Sequence, residues 1–230
     1  MSLWLIFFRV VFLQNKKVEH QRGTMLHSIF CKQIFAHIWK HKVILFNEKQ
    51  KMLNGKNYNP ALDYTLFRER LKCKKLCYEY NNLSPEKIRE RTRLISKILG
   101  KTKETFLLEQ PFMCDYGYNI EIGSNFCSNH NLLILDSAKV ILGDNVLVGP
   151  NCGFYTTIHP ANTEMRARGV QCAKPIVVAD NVWICAGVTV VGGVTIGKNS
   201  IIGAGSVVTR DIPENSFAVG NPCKVVKELS

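Results

Sequence analysis

Hydrophobic positions recur every six residues along the C-terminal part of the chain. The spacing is unbroken through Ile176, Val182, Val188, Val194, Ser200, Ser206 and Ile212. The first six are each followed, two positions later, by another aliphatic residue: Val178, Ile184, Val190, Ile196, Ile202 and Val208. A period of 3.6 or 2 does not produce this pattern, whereas a coil that turns a corner every six residues does. The spacing therefore predicts a parallel β-helix, with about eighteen residues to each triangular turn.

The same register extends toward the N-terminus. The further inward positions that it predicts are Ile120, Phe126, Leu132, Ala138, Val140, Val146, Cys152 and Ile158. Residues 159–175 carry no legible repeat, yet Ile158 and Ile176 are a whole number of repeats apart, so the coil resumes after an excursion. We assign residues 106–230 to the β-helix and residues 159–175 to an excursion loop. Long excursions from a compact fold are usually functional or disordered.

Residues 47–105 follow a helical pattern instead. Asp63 is placed to cap a helix that ends near Asn81, and Ser84 is placed to begin a second helix that runs to Ile98. Two amphipathic helices cannot bury their apolar faces alone, so we expect them to pack against the β-helix. The predicted fold is mainly β: a β-helix with a small N-terminal α-helical subdomain.

Residues 1–46 form an extension of uncertain status. Its apolar stretch is interrupted by Arg9, and no cleavage site of a secretory signal follows. Residues 26–46 fit an interfacial amphipathic helix, or translation begins later, at Met25 or near Met52, which we favour. No run of about 18 apolar residues occurs, so we do not expect a transmembrane span, and with the later start of translation a membrane is not an expected partner.

The net charge of +12 is unevenly distributed. Residues 1–46 hold seven basic residues and one acidic residue, and the remainder holds 23 basic and 17 acidic residues. This mild excess suits a small anionic ligand, and a nucleic-acid partner is not expected. The nine cysteines are odd in number and contain no Cys-x-x-Cys motif, so we expect buried thiols and a cytoplasmic protein.

Histidine supplies the candidate chemistry. Only His130 and His159 lie within the coil, and a zinc site of the three-imidazole kind is therefore not expected; we predict no metal. His159 ends a regular strand, precedes a proline and opens the excursion. A neutral imidazole in that setting can act as a general base at neutral pH.

Several stretches resemble the maltose and galactoside O-acetyltransferases, enzymes of the left-handed β-helix class. These stretches are residues 48–56 (EKQKMLNGK), 76–81 (LCYEYN), 111–120 (PFMCDYGYNI), 122–126 (IGSNF), 149–151 (GPN), 155–160 (YTTIHP), 180–184 (DNVWI), 202–213 (IGAGSVVTRDIP) and 220–225 (GNPCKV). The resemblance covers about residues 47–230. It departs from the family pattern at Cys127, Ser137 and Gln171.

The resemblance implies a homotrimer with active sites between neighbouring coils, acetyl-CoA as co-substrate and a small-molecule sugar as acceptor. The implied base is His159, with Asn129 assisting at the oxyanion. The positions implied for the acceptor are Asp63, Asp115, Asn129 and Ser137, and those for coenzyme A are Ala186, Ala204, Thr209, Arg210, Lys224 and Lys227. Two alternatives stay open: the same chemistry on another hydroxyl (serine, an amino sugar or a lipo-oligosaccharide), or a catalytically silent scaffold.

Overall fold

Residues 101–219 wind into a parallel β-helix in the computed structural model, which describes residues 48–230. The N-terminal extension assigned to residues 1–46 lies outside the described residues. Strands of successive coils stack into three parallel sheets, one for each side of a triangle. The predicted β-helix with an N-terminal helical subdomain is thus the observed architecture.

Each side of the triangle is one sheet, and the three are named here in chain order. The first sheet contains β1 (Lys101–Thr102), β4 (Ile120–Ile122), β7 (Val140–Leu142), β12 (Ile176–Val178) and β15 (Thr195–Ile196). The second contains β2 (Phe106–Leu108), β5 (Phe126–Ser128), β8 (Leu147–Val148), β13 (Trp183–Ile184), β16 (Ile201–Ile202), β18 (Ser216–Val219) and the antiparallel β19 (Lys224–Glu228). The third contains β3 (Phe112–Cys114), β6 (Leu132–Leu135), β9 (Gly153–Tyr155), β14 (Thr189–Val191) and β17 (Val207–Val208). The chain turns at a first corner between the first and second sheets, a second corner between the second and third, and a third corner between the third and the next first.

The inward positions of the coil form its core. Val140, Ile176 and Val190 are completely buried, as the repeat predicts. Ser200 also points inward, and its hydroxyl donates to the carbonyl of Pro213 at 2.8 Å, so that its polar group is satisfied without water.

Two predicted inward positions are wrong. Ala138 is only half-buried, because the inward position at that point is taken by Val140. Ile158 is half-buried in β10, where the excursion has already begun. The register shift has a simple origin: in the early coils partners are 20 residues apart, as in Phe112 and Leu132, because the third corner is longer there. Later coils have the predicted spacing of 18, as in Thr189 and Val207.

A ladder of asparagines lines the first corner. Its members, Asn125, Asn145, Asn181, Asn199 and Asn215, all have left-handed backbones with φ between 54° and 60°. The side-chain Nδ2 of each of the first four donates to the Oδ1 of the asparagine one coil further on, at 2.8–3.1 Å. Asparagine tolerates this conformation better than most residues, and its amide can both donate and accept, so the ladder fixes the corner in register.

The helical subdomain closes the open end of the β-helix. It consists of α1 (Glu48–Leu53), a 3-10 turn (Pro60–Leu62), α2 (Tyr64–Asn81) and α3 (Ile88–Ile98). Helix α2 covers the unpaired edge of β3, where the Asn81 amide donates to the carbonyl of Phe112 and accepts from its N–H, both at 2.9 Å. This replaces the strand partner that the first coil lacks. Helix α3 begins at Ile88 instead of near Ser84, because residues 84–87 form a turn and Lys87 is the N-cap.

The excursion is an ordered hairpin that reaches the helical subdomain. Strands β10 (Thr157–Ile158) and β11 (Cys172–Ala173) pair antiparallel, with the short helix α4 (Thr163–Ala167) between them. Tyr58 and Gln171 exchange backbone hydrogen bonds at 2.8 and 2.9 Å, and the Asn59 side chain donates to the carbonyl of Arg168 at 2.6 Å. Among the described residues, no helix is long and apolar enough to cross a membrane.

The asparagine ladder predicts a graded response at Asn181. Asn181→Ala removes the hydrogen bonds to Asn145 and Asn199 and leaves in the left-handed region a residue without the short polar side chain by which asparagine tolerates it, so we expect a loss of about 2 kcal/mol in the free energy of unfolding. Asn181→Gly removes the same bonds but tolerates the backbone, so its loss is smaller, at about 1 kcal/mol. Urea unfolding at one fixed protein concentration measures both. Equal stability of the two variants contradicts the backbone part of this explanation.

Candidate functional site

The third corner gathers two of the predicted acceptor-side residues. Asp115 follows β3 and Ser137 follows β6, one coil later, and both are buried. The Asp115 carboxylate accepts from Arg70 Nε at 2.6 Å, and the Ser137 hydroxyl accepts from Thr157 Oγ1 at 3.0 Å. Short polar side chains at this corner are therefore held by neighbours from both the helical subdomain and the excursion.

Tyr58 joins the same cluster from the helical subdomain. It is almost completely buried, and Gln171 Nε2 donates to its hydroxyl at 2.5 Å. Burial raises the pKa of Tyr58, opposed by its hydrogen bonds with Ser137 and Gln171. The phenol therefore stays protonated at neutral pH and links the excursion to Ser137.

Asp136 shapes the backbone beneath these residues. Its buried carboxylate accepts from the N–H groups of Asp115 at 3.0 Å and Tyr116 at 2.8 Å. Burial raises the pKa of Asp136 to about 7, against the lowering effect of backbone donors such as the N–H of Tyr116. The carboxyl group thereby fixes the direction in which the chain leaves β3 and presents Asp115.

Asp63 has a clear structural position. Its Oδ1 accepts from the N–H groups of Thr65 at 2.8 Å and Leu66 at 3.3 Å, and its Oδ2 accepts from Lys49 N at 3.0 Å. It is therefore the N-cap of α2, as the sequence predicts, and only 3% of the residue is exposed. A role of Asp63 in binding the acceptor stays a prediction.

His159 lies directly after β10 and is exposed. Its chain neighbourhood is anchored by Thr157, which contacts Ser137, and by Arg166 Nη1, which donates to the carbonyl of Pro160 at 2.8 Å. Within the described residues no side-chain hydrogen bond engages the His159 ring. The imidazole therefore projects from an ordered segment with both nitrogens available.

Asn129 lies at the second corner, after β5, and is also exposed. Its Oδ1 accepts from the N–H of His130 at 2.7 Å, which fixes the orientation of the amide. The Nδ2 group has no hydrogen-bond acceptor in the described part of the chain, so it is available as a donor to a bound molecule. His130 itself is held by a contact of 2.6 Å between its Nδ1 and the carbonyl of Gln110.

The predicted coenzyme A positions are distributed over both corners and the last strand. Ala186 and Ala204 stack at the second corner, where the N–H of Gly205 donates to the carbonyl of Ala186 at 2.9 Å. Thr209 and Arg210 follow β17 at the third corner. Lys224 and Lys227 lie on β19, and all six side chains are exposed.

The two corners do not meet within one chain. The second corner holds Asn129, Ala186 and Ala204, whereas the third corner holds His159 and Ser137. In the coil that contains Asn129 and Ser137, the four-residue strand β6 separates the second corner from the third and extends on the order of 13 Å. Asn129 and His159 therefore lie at different corners of the single chain.

The comparisons with known proteins agree with this arrangement of a capped hexapeptide coil. The maltose acetyltransferase hexapeptide capping motif matches residues 51–103, and the bacterial transferase hexapeptide (six repeats) matches residues 175–210. Galactoside O-acetyltransferase of Escherichia coli (strain K12) is 44% identical over 162 residues, which cover 70% of this chain and 80% of that protein. The chain belongs to the maltose and galactoside O-acetyltransferase family.

Solved structures of this acetyltransferase family have the same fold. A maltose O-acetyltransferase from Clostridium difficile 630 superposes with a TM-score of 0.78 at 44% identity, over 81% of this chain and 99% of that chain. A galactoside acetyltransferase in complex with coenzyme A superposes with a TM-score of 0.77 at 41% identity, over 80% of this chain and 91% of that chain.

Two residues of the cluster at the third corner of this acetyltransferase, Tyr58 and Asp136, were not identified from the sequence. Tyr58 lies in an irregular segment before α2, and Asp136 directly follows an aliphatic strand, so neither falls in a motif. Their roles depend on contacts between distant segments, such as that of Tyr58 with Gln171. For Asp136, a lone carboxylate after the strand Leu132–Leu135 is a weak signal that a corner follows.

Proposed function

We propose that this chain is an acetyl-CoA-dependent O-acetyltransferase that moves an acetyl group to a hydroxyl of a small sugar. The observation that carries the proposal is the pair of exposed groups, His159 and Asn129, on ordered corners of a family coil. The His159 imidazole can accept a proton, and the Asn129 amide can donate a hydrogen bond. Similarity to a coenzyme A complex of the family supports acetyl-CoA as the donor.

In the proposed reaction His159 takes the proton from the acceptor hydroxyl as its oxygen attacks the thioester carbonyl. General-base assistance of this kind contributes roughly 10²–10⁴-fold. Negative charge then develops on the carbonyl oxygen, where the Asn129 Nδ2 group donates a hydrogen bond. The tetrahedral intermediate breaks the carbon–sulfur bond, and the leaving thiolate receives the proton from His159. The products are the acetyl ester and coenzyme A.

Binding of the two substrates is assigned to different surfaces. Asp115 and Ser137 are the proposed acceptor contacts, with Asp63 and Asn129 alongside, because carboxylate, hydroxyl and amide groups suit sugar hydroxyls. The small side chains of Ala186 and Ala204 leave backbone groups open to the pantetheine arm. Proposed contacts to the coenzyme's hydroxyl and phosphate groups come from Thr209, Arg210, Lys224 and Lys227.

A homotrimer is proposed to complete each site. An apolar stripe runs along the outer face of the second sheet through paired positions: Leu107, Cys127, Leu147, Trp183, Ile201 and Phe217. Trp183 and Leu147 are each 49% exposed in the single chain, and burying them in a subunit interface removes this apolar surface from water. In the proposed trimer, one surface of each subunit packs against a different surface of the next subunit, and this head-to-tail packing closes into a ring.

A cytoplasmic location is proposed from the cysteines. The eight cysteines of the described chain form no disulfide, and most of them are buried. Such thiols are typical of proteins in a reducing compartment.

Replacing the proposed base tests the chemistry. His159→Ala should lower acetyl-CoA turnover with an active sugar by about 10²-fold or more, because the acceptor hydroxyl loses its base. The measurement is release of the free thiol of coenzyme A against a panel of mono- and disaccharides. His130→Ala is the matched control, since it removes the other imidazole of the coil, and it should retain turnover close to wild type. Unchanged turnover in His159→Ala refutes the mechanism.

Mixing two inactive variants tests whether the site lies between chains. His159→Ala and Asn129→Ala, unfolded and refolded together in equal amounts, should recover about a quarter of the wild-type activity, because that share of the interfaces pairs an intact His159 with an intact Asn129. As a control, the double variant with both His159→Ala and Asn129→Ala is unfolded and refolded together with His159→Ala, and this mixture should recover no activity. Absence of recovery in confirmed mixed oligomers places both residues in one chain's site and overturns this part of the proposal.

A further inference from the structure

Three cysteine sulfurs meet between the helical subdomain and the first coil. Cys73 and Cys77 lie one turn apart on α2, and Cys114 ends β3. The Cys114 Sγ lies 3.4 Å from the Cys73 Sγ and 3.8 Å from the Cys77 Sγ, and all three atoms lie within 4.8 Å of one another. Nothing in the proposed acetyl transfer uses this thiol cluster.

The spacing of the sulfurs suits a shared metal ion. An ion about 2.3 Å from each of three sulfurs holds them roughly 3.8–4.0 Å apart, so the thiol cluster needs only small side-chain adjustments. The three ligands come from a helix and a strand that already pack together, through Asn81 and Phe112, so the site is held by rigid elements.

The ligand set favours a soft ion of low coordination number. In the described residues the group contains sulfur alone, with no imidazole or carboxylate. Each cysteine is at most 4% exposed, which leaves little access for a water as fourth ligand. Structural zinc is almost always four-coordinate, whereas thiolate ligands also select Cu⁺, which accepts three sulfurs.

We propose that Cys73, Cys77 and Cys114 form a three-sulfur binding site for Cu⁺ that links helix α2 to the first coil. The folded chain holds the three sulfurs together and the unfolded chain does not, so the folded chain binds the ion more tightly, and the ion stabilises the junction between the capping subdomain and the β-helix.

Metal titration of the reduced protein tests the site without any activity assay. Cu⁺ is added anaerobically in the presence of a competing Cu⁺ chelator, and bound copper per chain is measured after desalting, together with the sulfur-to-copper charge-transfer absorption and the melting temperature. We expect one ion per chain, a charge-transfer band and a raised melting temperature.

Variants assign the copper to these sulfurs. Cys114→Ser and Cys77→Ser should each weaken binding by at least about 100-fold, because a lost ligand costs more than the 10–100-fold of an outer-shell partner. Cys152→Ser is the matched control: this buried thiol, which donates to the carbonyl of Cys185 at 3.1 Å, lies elsewhere in the coil, and its removal should leave copper binding unchanged. Having two ligand variants keeps the test valid if one of them fails to fold.

Three results overturn the proposal. The first is equal copper uptake by wild type and a folded ligand variant. The second is preferential uptake of Zn²⁺ over Cu⁺, which refutes the assignment of the ion. The third is absence of copper binding by the reduced protein, whether or not air oxidation then produces a disulfide within the thiol cluster.

Discussion

In-register stacking of one coil on the next is the constraint on which the rest of the structure depends. Each strand has its hydrogen-bond partners in the neighbouring coils, so a slip in one coil displaces every later one. Completely buried aliphatic side chains such as Val140 and Ile176 stack inside the triangle, and the asparagine ladder holds the first corner outside it. The open end of this stack then requires a cap, which α2 supplies through Asn81.

The same stacking determines where chemistry can lie. The strands are short, so the polar groups that can reach a ligand lie mainly at the corners. Groups with different proposed roles lie at different corners. Asn129 is at the second corner and His159 lies beside the third, so the two groups lie at different corners of one chain. The catalytic site that we propose from both residues therefore draws on two chains. The apolar stripe around Trp183 gives those chains a reason to associate.

The repeat between Ile176 and Ile212 predicted the later coils correctly, because a six-residue period is a local property. Ala138 and Ile158 were assigned wrongly, since the longer third corner and the start of the excursion change the register without an obvious mark in the sequence. Asp63 was recognised as a cap from its neighbours in the chain. The thiol cluster could not be predicted, because Cys114 reaches Cys73 only through the packing of α2 on β3.

The most direct test of this account is a crystal structure of the protein with coenzyme A bound. We predict that the coenzyme thiol lies between two chains, within about 4 Å of the His159 ring of one subunit and beside the Asn129 amide of its neighbour. A coenzyme bound entirely to one chain, or a thiol remote from His159, contradicts the proposed site.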